Sequence, residues 1–286
     1  MSAEFRQRQV QCITPGGLHQ LAYTEWGDPA GRRVLVCVHG LSRCGRDFDS
    51  LARALSSHYR VVCPDVPGRG MSGWLKNPME YQVQIYVADI VTLLARLDTA
   101  SVHWVGTSMG GMIGMALASL AETPVQKLVL NDVGPIVTAV SLARIGEYLG
   151  KAPTFPDFAA AVGYIRAVSA PFGAHSDAEW STLTQHVTRR QADGSYRMHY
   201  DPAIAVPFSA AKPDKDIELW SYYDAIRCPT LVIRGAMSDL LKRETLHEMA
   251  GRGPRARTVE IPEVGHAPTL MHEDQIAIVR DFLLAD

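Results

Sequence analysis

The 286-residue chain carries almost no excess charge of either sign. Its 28 lysine and arginine residues nearly balance its 30 aspartate and glutamate residues, which gives a formal net charge of −2. The sequence therefore lacks the strong basic bias that attracts nucleic acid and the acidic tail found in some interaction proteins. We expect no nucleic-acid partner.

Long apolar runs are also absent from the sequence. No stretch approaches the ~20 apolar residues that cross a bilayer, so we expect no membrane span. Residues 1–8 are charged and lack the apolar core of a secretory signal. Together with the cysteine pattern, these features favour a cytoplasmic protein.

Cysteine is scarce, and its spacing does not indicate a metal site. The five cysteines are odd in number and include no C-x-x-C pair, which favours free thiols in a reducing compartment. Histidine and cysteine show no metal-ligand spacing, and no H-E-x-x-H occurs, so we expect neither a metal nor a cofactor. Cys44 lies in a predicted loop near the site derived below and is left open as an inert or a reactive thiol.

The sequence does contain a regular alternation of strand and helix patterns. Predicted strands at residues 33–38, 59–64, 102–105 and 125–131 alternate with helical spacing such as that of residues 83–97. Continuous apolar strands separated by helices predict an α/β fold, in which a mostly parallel sheet is covered on both faces.

This alternation stops near residue 136 and resumes near residue 224. The segment between them shows helical patterns and loops without a convincing buried strand. Ser176 and Glu179 have the spacing of a capping box at the start of one of these helices. We therefore predict an α/β core at residues 1–135 and 224–286, with a helical cap inserted at residues 136–223.

The most informative motif is the pentad Gly106-Thr107-Ser108-Met109-Gly110, between a predicted strand and a predicted helix. A serine on such a turn, flanked by small residues, is typical of the nucleophile elbow of acyl-transfer enzymes. Glycine on both sides leaves room for a strained backbone and for close packing of the strand on the helix. Ser108 is therefore the candidate nucleophile.

A catalytic serine needs a base and an acid that orients the base. In an open α/β sheet, functional groups gather beyond the carboxyl ends of the strands. His266, in a Gly-His turn after the last predicted strand, is the candidate base, and Asp239, after the strand at residues 229–235, is the candidate acid. Asp132, which follows the strand before the insertion, is the alternative acid.

Stabilisation of an oxyanion requires N–H donors aimed at the place where the charge develops. One candidate is the backbone N–H of Met109, directly after the nucleophile, and the second is that of Leu41, in the loop after the predicted strand at residues 33–38. In the same loop, Ser42 and His39 are candidate pocket residues. His39 has a second interpretation, as a brace that holds this loop by hydrogen bonding.

The run at residues 68–73 matches the G-x-G-x-x-G pattern of dinucleotide-binding sites. Such a site needs a helix to begin at the motif. Instead Trp74, Asn77 and Pro78 follow, which disfavours a helix. We interpret the run as a glycine-rich turn and expect no nucleotide there.

Taken together, these motifs resemble the α/β-hydrolase superfamily over nearly the whole chain. The resemblance rests on His39-Gly40-Leu41-Ser42, residues 64–72, the elbow with Gly111, residues 234–239, and Gly265-His266-Ala267-Pro268. It implies an eight-stranded, mostly parallel sheet with helices on both faces, an inserted helical cap, and a triad of Ser108, His266 and Asp239. Within the superfamily, the chain is most similar to the broad group of capped bacterial esterases and lactonases.

The resemblance implies hydrolysis of a carboxylic ester through an acyl-serine intermediate, with a small-molecule ester or lactone as the substrate. Enol-lactonases and carbon–carbon bond hydrolases share the serine and stay open as alternatives, as does a perhydrolase-type side activity. A non-catalytic interaction protein is disfavoured, because all three residue types of a triad are present. Monomer and dimer are both left open.

Overall fold

The computed structural model describes residues 5–211 and 215–285, so residues 1–4 of the charged N-terminal segment lie outside the described part. The strands, in chain order, are β1 (Arg6–Thr14), β2 (Gly17–Trp26), β3 (Val34–Val38), β4 (Arg60–Pro64), β5 (Val102–Thr107), β6 (Val125–Asn131), β7 (Ile136–Val137), β8 (Thr154–Phe155), β9 (Thr188–Arg190), β10 (Tyr196–Met198), β11 (Ile217–Glu218), β12 (Thr230–Gly235) and β13 (Arg257–Ile261). The α-helices are α1 (Asp49–Leu55), α2 (Val83–Leu97), α3 (Met109–Ala118), α4 (Ala139–Tyr148), α5 (Phe158–Val168), α6 (Asp177–Val187), α7 (Ala205–Ala211), α8 (Trp220–Ala225), α9 (Arg243–Gly251) and α10 (Glu273–Leu284).

The central sheet has eight strands in the order β1-β2-β4-β3-β5-β6-β12-β13. β2 runs antiparallel to both β1 and β4, whereas each of the remaining neighbouring pairs is parallel. The predicted fold class, a mostly parallel eight-stranded sheet in an α/β fold, is thus confirmed.

Helices cover both faces of this sheet. Successive side chains of a strand point to opposite faces, and in β3 Val36 joins one apolar cluster while Leu35 joins another. Helices α2 and α3 supply buried side chains to the first cluster, and α1 and α10 supply them to the second. A sheet buried on both faces explains why its central strands are continuous apolar runs rather than alternating ones.

The apolar pattern does not predict β1, because this strand lies at the sheet edge. Its first four residues, from Arg6 to Gln9, are exposed arginines and glutamines. Backbone pairing with β2 holds the strand in register from Arg6 opposite Glu25 to Thr14 opposite Gly17. Charged side chains on such an edge discourage pairing with another sheet.

The segment between β6 and β12 contains helices α4 to α8, in agreement with its predicted helical character. The capping box at Ser176 and Glu179 is present at the start of α6. The segment also contains five short strands, paired as β8-β10-β9 and β11-β7, which the sequence does not predict. Strands of two or three residues are too short to give a recognisable apolar run.

Two further sequence interpretations concern features outside the sheet. The run at residues 68–73 is a turn in which the N–H of Gly68 donates to the carbonyl of Gly73 at 2.9 Å, and both Gly68 and Gly70 have positive φ.

Across residues 5–211 and 215–285, none of the helices combines the length and the apolar character needed to traverse a bilayer.

The turn between β5 and α3 is crowded at its glycines. A Cβ atom on Gly110 would overlap the carbonyl oxygen of Val38, and one on Gly106 would overlap the carbonyl of Gly110. Neighbouring backbone cannot move aside as the end of a flexible side chain can. The two glycines therefore allow α3 to pack directly against β3 and β5.

We predict that Gly110→Ala lowers the free energy of unfolding by more than about 3 kcal/mol, because the added methyl group meets backbone in an overpacked region. The matched control is Gly163→Ala in the interior of α5, where the added Cβ meets no described heavy atom within 4 Å beyond its chain neighbours and the backbone of its own helix. This control should raise stability by about 0.5–1 kcal/mol, as alanine does in a helix. Urea denaturation of both variants checks the pair, and equal effects would contradict the crowding argument.

Candidate active site

Ser108 occupies the turn between β5 and α3 in an unusual backbone conformation. Its φ is 53° and its ψ is −117°, values that a residue with a side chain rarely adopts. Such strain persists only where the surroundings hold the backbone in place. Here the N–H of Ser108 donates to the carbonyl of Asn131 at 3.0 Å, which ties the turn to the end of β6.

His266 follows β13 and reaches the Ser108 side chain. Its Nε2 lies 2.9 Å from the Ser108 Oγ, so the serine hydroxyl can donate to the ring. The loop that carries His266 is fixed from two sides. The N–H of Gly265 donates to the carbonyl of Pro171 at 2.6 Å, and the side-chain amide of Asn131 donates to the carbonyl of Pro268 at 2.8 Å.

Asp132 lies on the other side of the imidazole ring. The His266 Nδ1 is 2.6 Å from the Asp132 Oδ2, and the Asp132 side chain is fully buried. The same carboxylate accepts hydrogen bonds from the N–H of Gly235 at 2.9 Å and from the hydroxyl of Ser238 at 2.6 Å. These donors compensate for the loss of water that a buried carboxylate would otherwise suffer.

The expectation that Asp239 is the acid beside His266 must therefore be corrected in favour of Asp132. The Asp239 side chain is 55% exposed and pairs with Arg144, with 2.7 Å between the Arg144 Nε and the Asp239 Oδ2. The sheet order gives the physical reason. β6 lies directly beside the elbow strand β5, so the residue after β6 emerges close to Ser108, whereas Asp239 lies four residues beyond the end of β12.

The predicted oxyanion donors lie on either side of Ser108. Met109 follows it in the chain, and a Cβ placed on Gly40, the residue before Leu41, would lie 3.7 Å from the Cβ of Ser108. Among residues 5–211 and 215–285, neither the Leu41 nor the Met109 N–H donates to a backbone carbonyl of another element. Both donors are thus available to a ligand at the serine.

Arg69 is a buried cation behind these two donors that the sequence analysis missed. It is 1% exposed, and its Nε donates to the carbonyl of Leu41 at 2.8 Å while its Nη2 lies 3.7 Å from the Met109 sulfur. Nη1 donates to the carbonyl of Pro67 and to the hydroxyl of Tyr86. In the sequence, Arg69 is noticeable only as part of the glycine-rich turn at residues 68–73. That pattern predicts a turn and does not predict a buried charge near Ser108.

His39 acts as the brace of its own loop, as the second interpretation held. Its Nδ1 lies 2.7 Å from the carbonyl of Gly40, and its Nε2 accepts the N–H of Val66 at 2.9 Å. Complete burial lowers the pKa of His39 to about 4, so the ring is neutral near pH 7. A neutral ring can donate through one nitrogen and accept through the other, which is the arrangement observed.

A cavity of about 150 Å³ opens onto Ser108 and His266. Both candidate pocket residues, His39 and Ser42, line it. Its far wall comes from the segment between β6 and β12, which supplies apolar and aromatic groups together with one arginine. These wall residues include Arg144, Ile145, Tyr148, Tyr164, Val168 and Phe172.

The cysteines lie outside this cavity. The Cys44 thiol is 3.4 Å from the carbonyl of His186, and burial raises its pKa well above the usual range, which disfavours a reactive thiolate.

Cys12 lies with His19 and Asp89 in a buried group whose candidate ligand atoms are all within 4.8 Å of one another. The spacing of these residues in the sequence does not reveal this proximity. In that group His19 and Asp89 already form a 3.0 Å hydrogen bond, and burial raises the pKa of Cys12 to about 12.

A family model of the alpha/beta hydrolase fold matches residues 33–272 of the chain. The protein belongs to the α/β-hydrolase fold family. As a family member with relatives named as esterases and hydrolases over nearly its full length, it is a hydrolase.

Named relatives resemble this α/β hydrolase in sequence and in structure. It is 51% identical over 289 residues to a 3-hydroxybutyrate-oligomer hydrolase of Cupriavidus necator, which covers 99% of both chains. It is 27% identical over 255 residues to a pimeloyl-[acyl-carrier protein] methyl ester esterase of Xanthomonas campestris, over 85% of this chain and 92% of the relative. The solved structure of an alpha/beta hydrolase from Novosphingobium aromaticivorans superposes with a TM-score of 0.88 at 33% identity and covers 98% of each chain.

The buried His39 predicts a pH-dependent stability of this α/β hydrolase. The unfolded chain takes up the His39 proton near the ordinary pKa of 6.5, whereas the folded protein does so only near 4. The contribution of the neutral ring is therefore complete above pH 6.5 and is lost as the pH falls from 6.5 towards 4. Over this range the unfolding free energy of the wild type should fall relative to His39→Gln by on the order of 3 kcal/mol.

Urea denaturation at pH 7, 5.5 and 4.5 measures this difference. His58→Gln, which replaces an exposed histidine, is the matched control and should track the wild type at each pH. A gap between the wild type and His39→Gln that is the same at pH 7 and pH 4.5 would contradict the role of burial at His39.

Proposed function

We propose that the protein is a serine hydrolase that cleaves carboxylic esters through a Ser108–His266–Asp132 triad and an acyl-serine intermediate. The observation that carries the proposal is the continuous hydrogen-bonded chain from the Ser108 Oγ through His266 to the Asp132 carboxylate, with contacts of 2.9 and 2.6 Å. A nucleophile, a base and an orienting acid in this order form the general arrangement of serine hydrolases.

In the first half of the reaction, the Ser108 oxygen attacks the ester carbonyl carbon and its proton passes to the His266 Nε2. The Asp132 carboxylate accepts a hydrogen bond from the Nδ1–H of His266, which fixes the ring orientation and stabilises the imidazolium without a proton transfer to Asp132. The negative charge that develops on the carbonyl oxygen meets the N–H groups of Met109 and Leu41. The tetrahedral species then collapses, and His266 returns the proton to the departing alcohol oxygen.

In the second half, water takes the place of the alcohol. His266 removes a proton from the water as it attacks the acyl-serine carbonyl, and the same N–H donors stabilise the second oxyanion. Collapse releases the carboxylic acid and returns the proton to the Ser108 oxygen. No group other than water and the residues of the site takes part in this sequence.

The segment at residues 136–223 is proposed to serve as the cap that shapes the acyl pocket. Tyr148, Tyr164 and Phe172 from this segment line the cavity, whereas its Phe155 and Trp180 are buried. The cap therefore combines a small core of its own with an aromatic wall over the serine. Such a wall excludes water from the carbonyl and strengthens the hydrogen bonds made to it.

We propose oligomers of 3-hydroxybutyrate as the substrate. The full-length relative of Cupriavidus necator at 51% identity is named for these oligomers, in which ester bonds join successive hydroxybutyrate units. A cavity of about 150 Å³ accommodates a molecule of roughly the size of benzene, and a single hydroxybutyryl group is no larger. The aliphatic and aromatic wall suits the methyl branches of such a chain.

The first prediction of this proposal concerns the triad. With p-nitrophenyl butyrate as a neutral substrate, Ser108→Ala should abolish hydrolysis, because no nucleophile is left at the turn. Asp132→Asn should lower kcat by on the order of 10⁴-fold, because the amide favours the wrong ring tautomer. The matched control, Asp239→Asn, should lower kcat by less than about tenfold, since its carboxylate contacts Arg144 rather than His266.

Steady-state kinetics of the three variants decides between the two acids. A larger loss of kcat in Asp239→Asn than in Asp132→Asn would reject Asp132 as the orienting acid. Mass spectrometry after treatment with a fluorophosphonate should find the added mass on Ser108 in the wild type only.

The second prediction concerns the substrate. Incubation with a linear trimer of 3-hydroxybutyrate should release monomer and dimer, which liquid chromatography with mass spectrometry identifies. Ser108→Ala should release neither. Hydrolysis of p-nitrophenyl butyrate without hydrolysis of the trimer would reject the oligomer substrate and leave the esterase mechanism standing.

A further inference from the structure

The cavity above Ser108 contains two arginines in different electrostatic situations. Arg43 lies on the core side, and its Nε and Nη2 donate to the two oxygens of Asp47 at 2.7 and 2.6 Å. Asp47 lines the same cavity, so the charge of Arg43 is balanced inside it. The second arginine, Arg144, belongs to the proposed cap.

Arg144 faces the cavity, while its counter-ion lies outside the cavity wall. The guanidinium contacts Asp239 through Nε at 2.7 Å and through Nη2 at 3.1 Å. Arg144 lines the cavity, whereas Asp239 is not part of its lining and is 55% exposed to solvent. The arginine of this ion pair therefore contributes to the cavity lining, whereas the aspartate does not.

The contacts of Arg144 also leave part of its donor capacity unused. A guanidinium has five N–H groups, and in Arg144 the Nη2 donates to Asp239, whereas the buried Nε lies 2.7 Å from Asp239 without forming a hydrogen bond. Within the described residues, Nη1 of Arg144 makes no hydrogen bond, and the Nη2 bond to Asp239 is the hydrogen bond that the guanidinium does make. The Nη1 group can thus bind a second carboxylate without breaking the pair with Asp239.

Tyr148, one turn further along α4, lines the same wall of the cavity. Burial raises the pKa of Tyr148, so its hydroxyl stays a neutral donor.

A linear oligomer of hydroxybutyrate has one group that this arrangement fits. Its internal esters are neutral, one end is a hydroxyl group, and the other end is a carboxylate. Arginine is suited to a carboxylate, since its planar fork forms charge-assisted hydrogen bonds. A neutral ester such as a methyl ester of the same oligomer offers no charge to Arg144.

We propose that Arg144 forms a subsite for the terminal carboxylate of the substrate and so selects short chains with a free acid end. This inference rests on the proposed function, because it assigns the chain end that the cap recognises. It makes Arg144 a specificity residue that acts on binding and leaves the proton transfers at Ser108 and His266 untouched. Asp239, the sequence-based candidate for the acid, then tunes the charge of this subsite.

The test compares the free trimer of 3-hydroxybutyrate with its methyl ester, which has the same internal ester bonds without the terminal charge. For Arg144→Gln, we expect KM for the free trimer to rise by about 10- to 100-fold, the range expected for loss of a charge-assisted contact. The kcat for the free trimer and both constants for the methyl ester should stay within about twofold. The methyl ester thus reports whether the variant is correctly folded.

Arg166→Gln is the matched control. Arg166 also lies on a helix of the proposed cap and pairs with a surface aspartate, Asp177, but it is not part of the cavity lining. Its replacement should leave KM for both substrates unchanged.

The salt dependence gives a second measurement. Raising the salt concentration should increase KM for the free trimer in the wild type and in Arg166→Gln, and it should have little effect on this KM in Arg144→Gln.

Three results would overturn the inference, and they differ from a failure of the proposed function. Equal KM values of the wild type for the two trimers would show that no carboxylate subsite exists. An equal loss of kcat on both substrates in Arg144→Gln would show that the ion pair with Asp239 only holds the cap in place. Unchanged constants in Arg144→Gln would show that another group recognises the acid. If the wild type hydrolyses neither trimer, the proposed function itself fails.

Discussion

The buried carboxylate of Asp132 is the constraint on which the site depends. A carboxylate without access to water must be surrounded by donors, and its three donors come from two segments of the chain. Gly235 ends β12, Ser238 lies in the loop beyond it, and His266 follows β13. The hydrogen bonds to this one side chain thus hold the end of β12 with its following loop, and the loop after β13, together at the carboxyl end of the sheet, and they place the imidazole within reach of Ser108.

Much of this arrangement was predictable because it is encoded locally. The fold follows from apolar runs and helical spacing. The elbow at Ser108 follows from Gly106 and Gly110, where neighbouring backbone leaves no room for a Cβ atom. His266 is the candidate base because a single histidine lies in the turn after the last strand, and its ring nitrogen lies 2.9 Å from the Ser108 oxygen. Each of these features is expressed within a few residues, so the printed sequence contains the whole signal.

What the sequence did not reveal depends on distance between segments. Asp132 and Asp239 both follow strands, and only the order of strands in the sheet decides which one meets His266. The charge of Arg69 behind Leu41 is likewise a consequence of tertiary packing. The short strands β7 to β11 form because their partners are brought together by the helices around them, since their own sequences are too short to specify pairing.

The hydrogen bond from the Gly265 N–H to the Pro171 carbonyl links the loop that carries His266 to the segment between β6 and β12. Gly265 directly precedes His266, and Pro171 lies in the turn between α5 and α6. An outward swing of that turn must either break this bond or drag the imidazole away from the serine. The distance between the imidazole and the Ser108 oxygen is therefore coupled to the position of the turn at Pro171, although the two lie on separate segments of the chain.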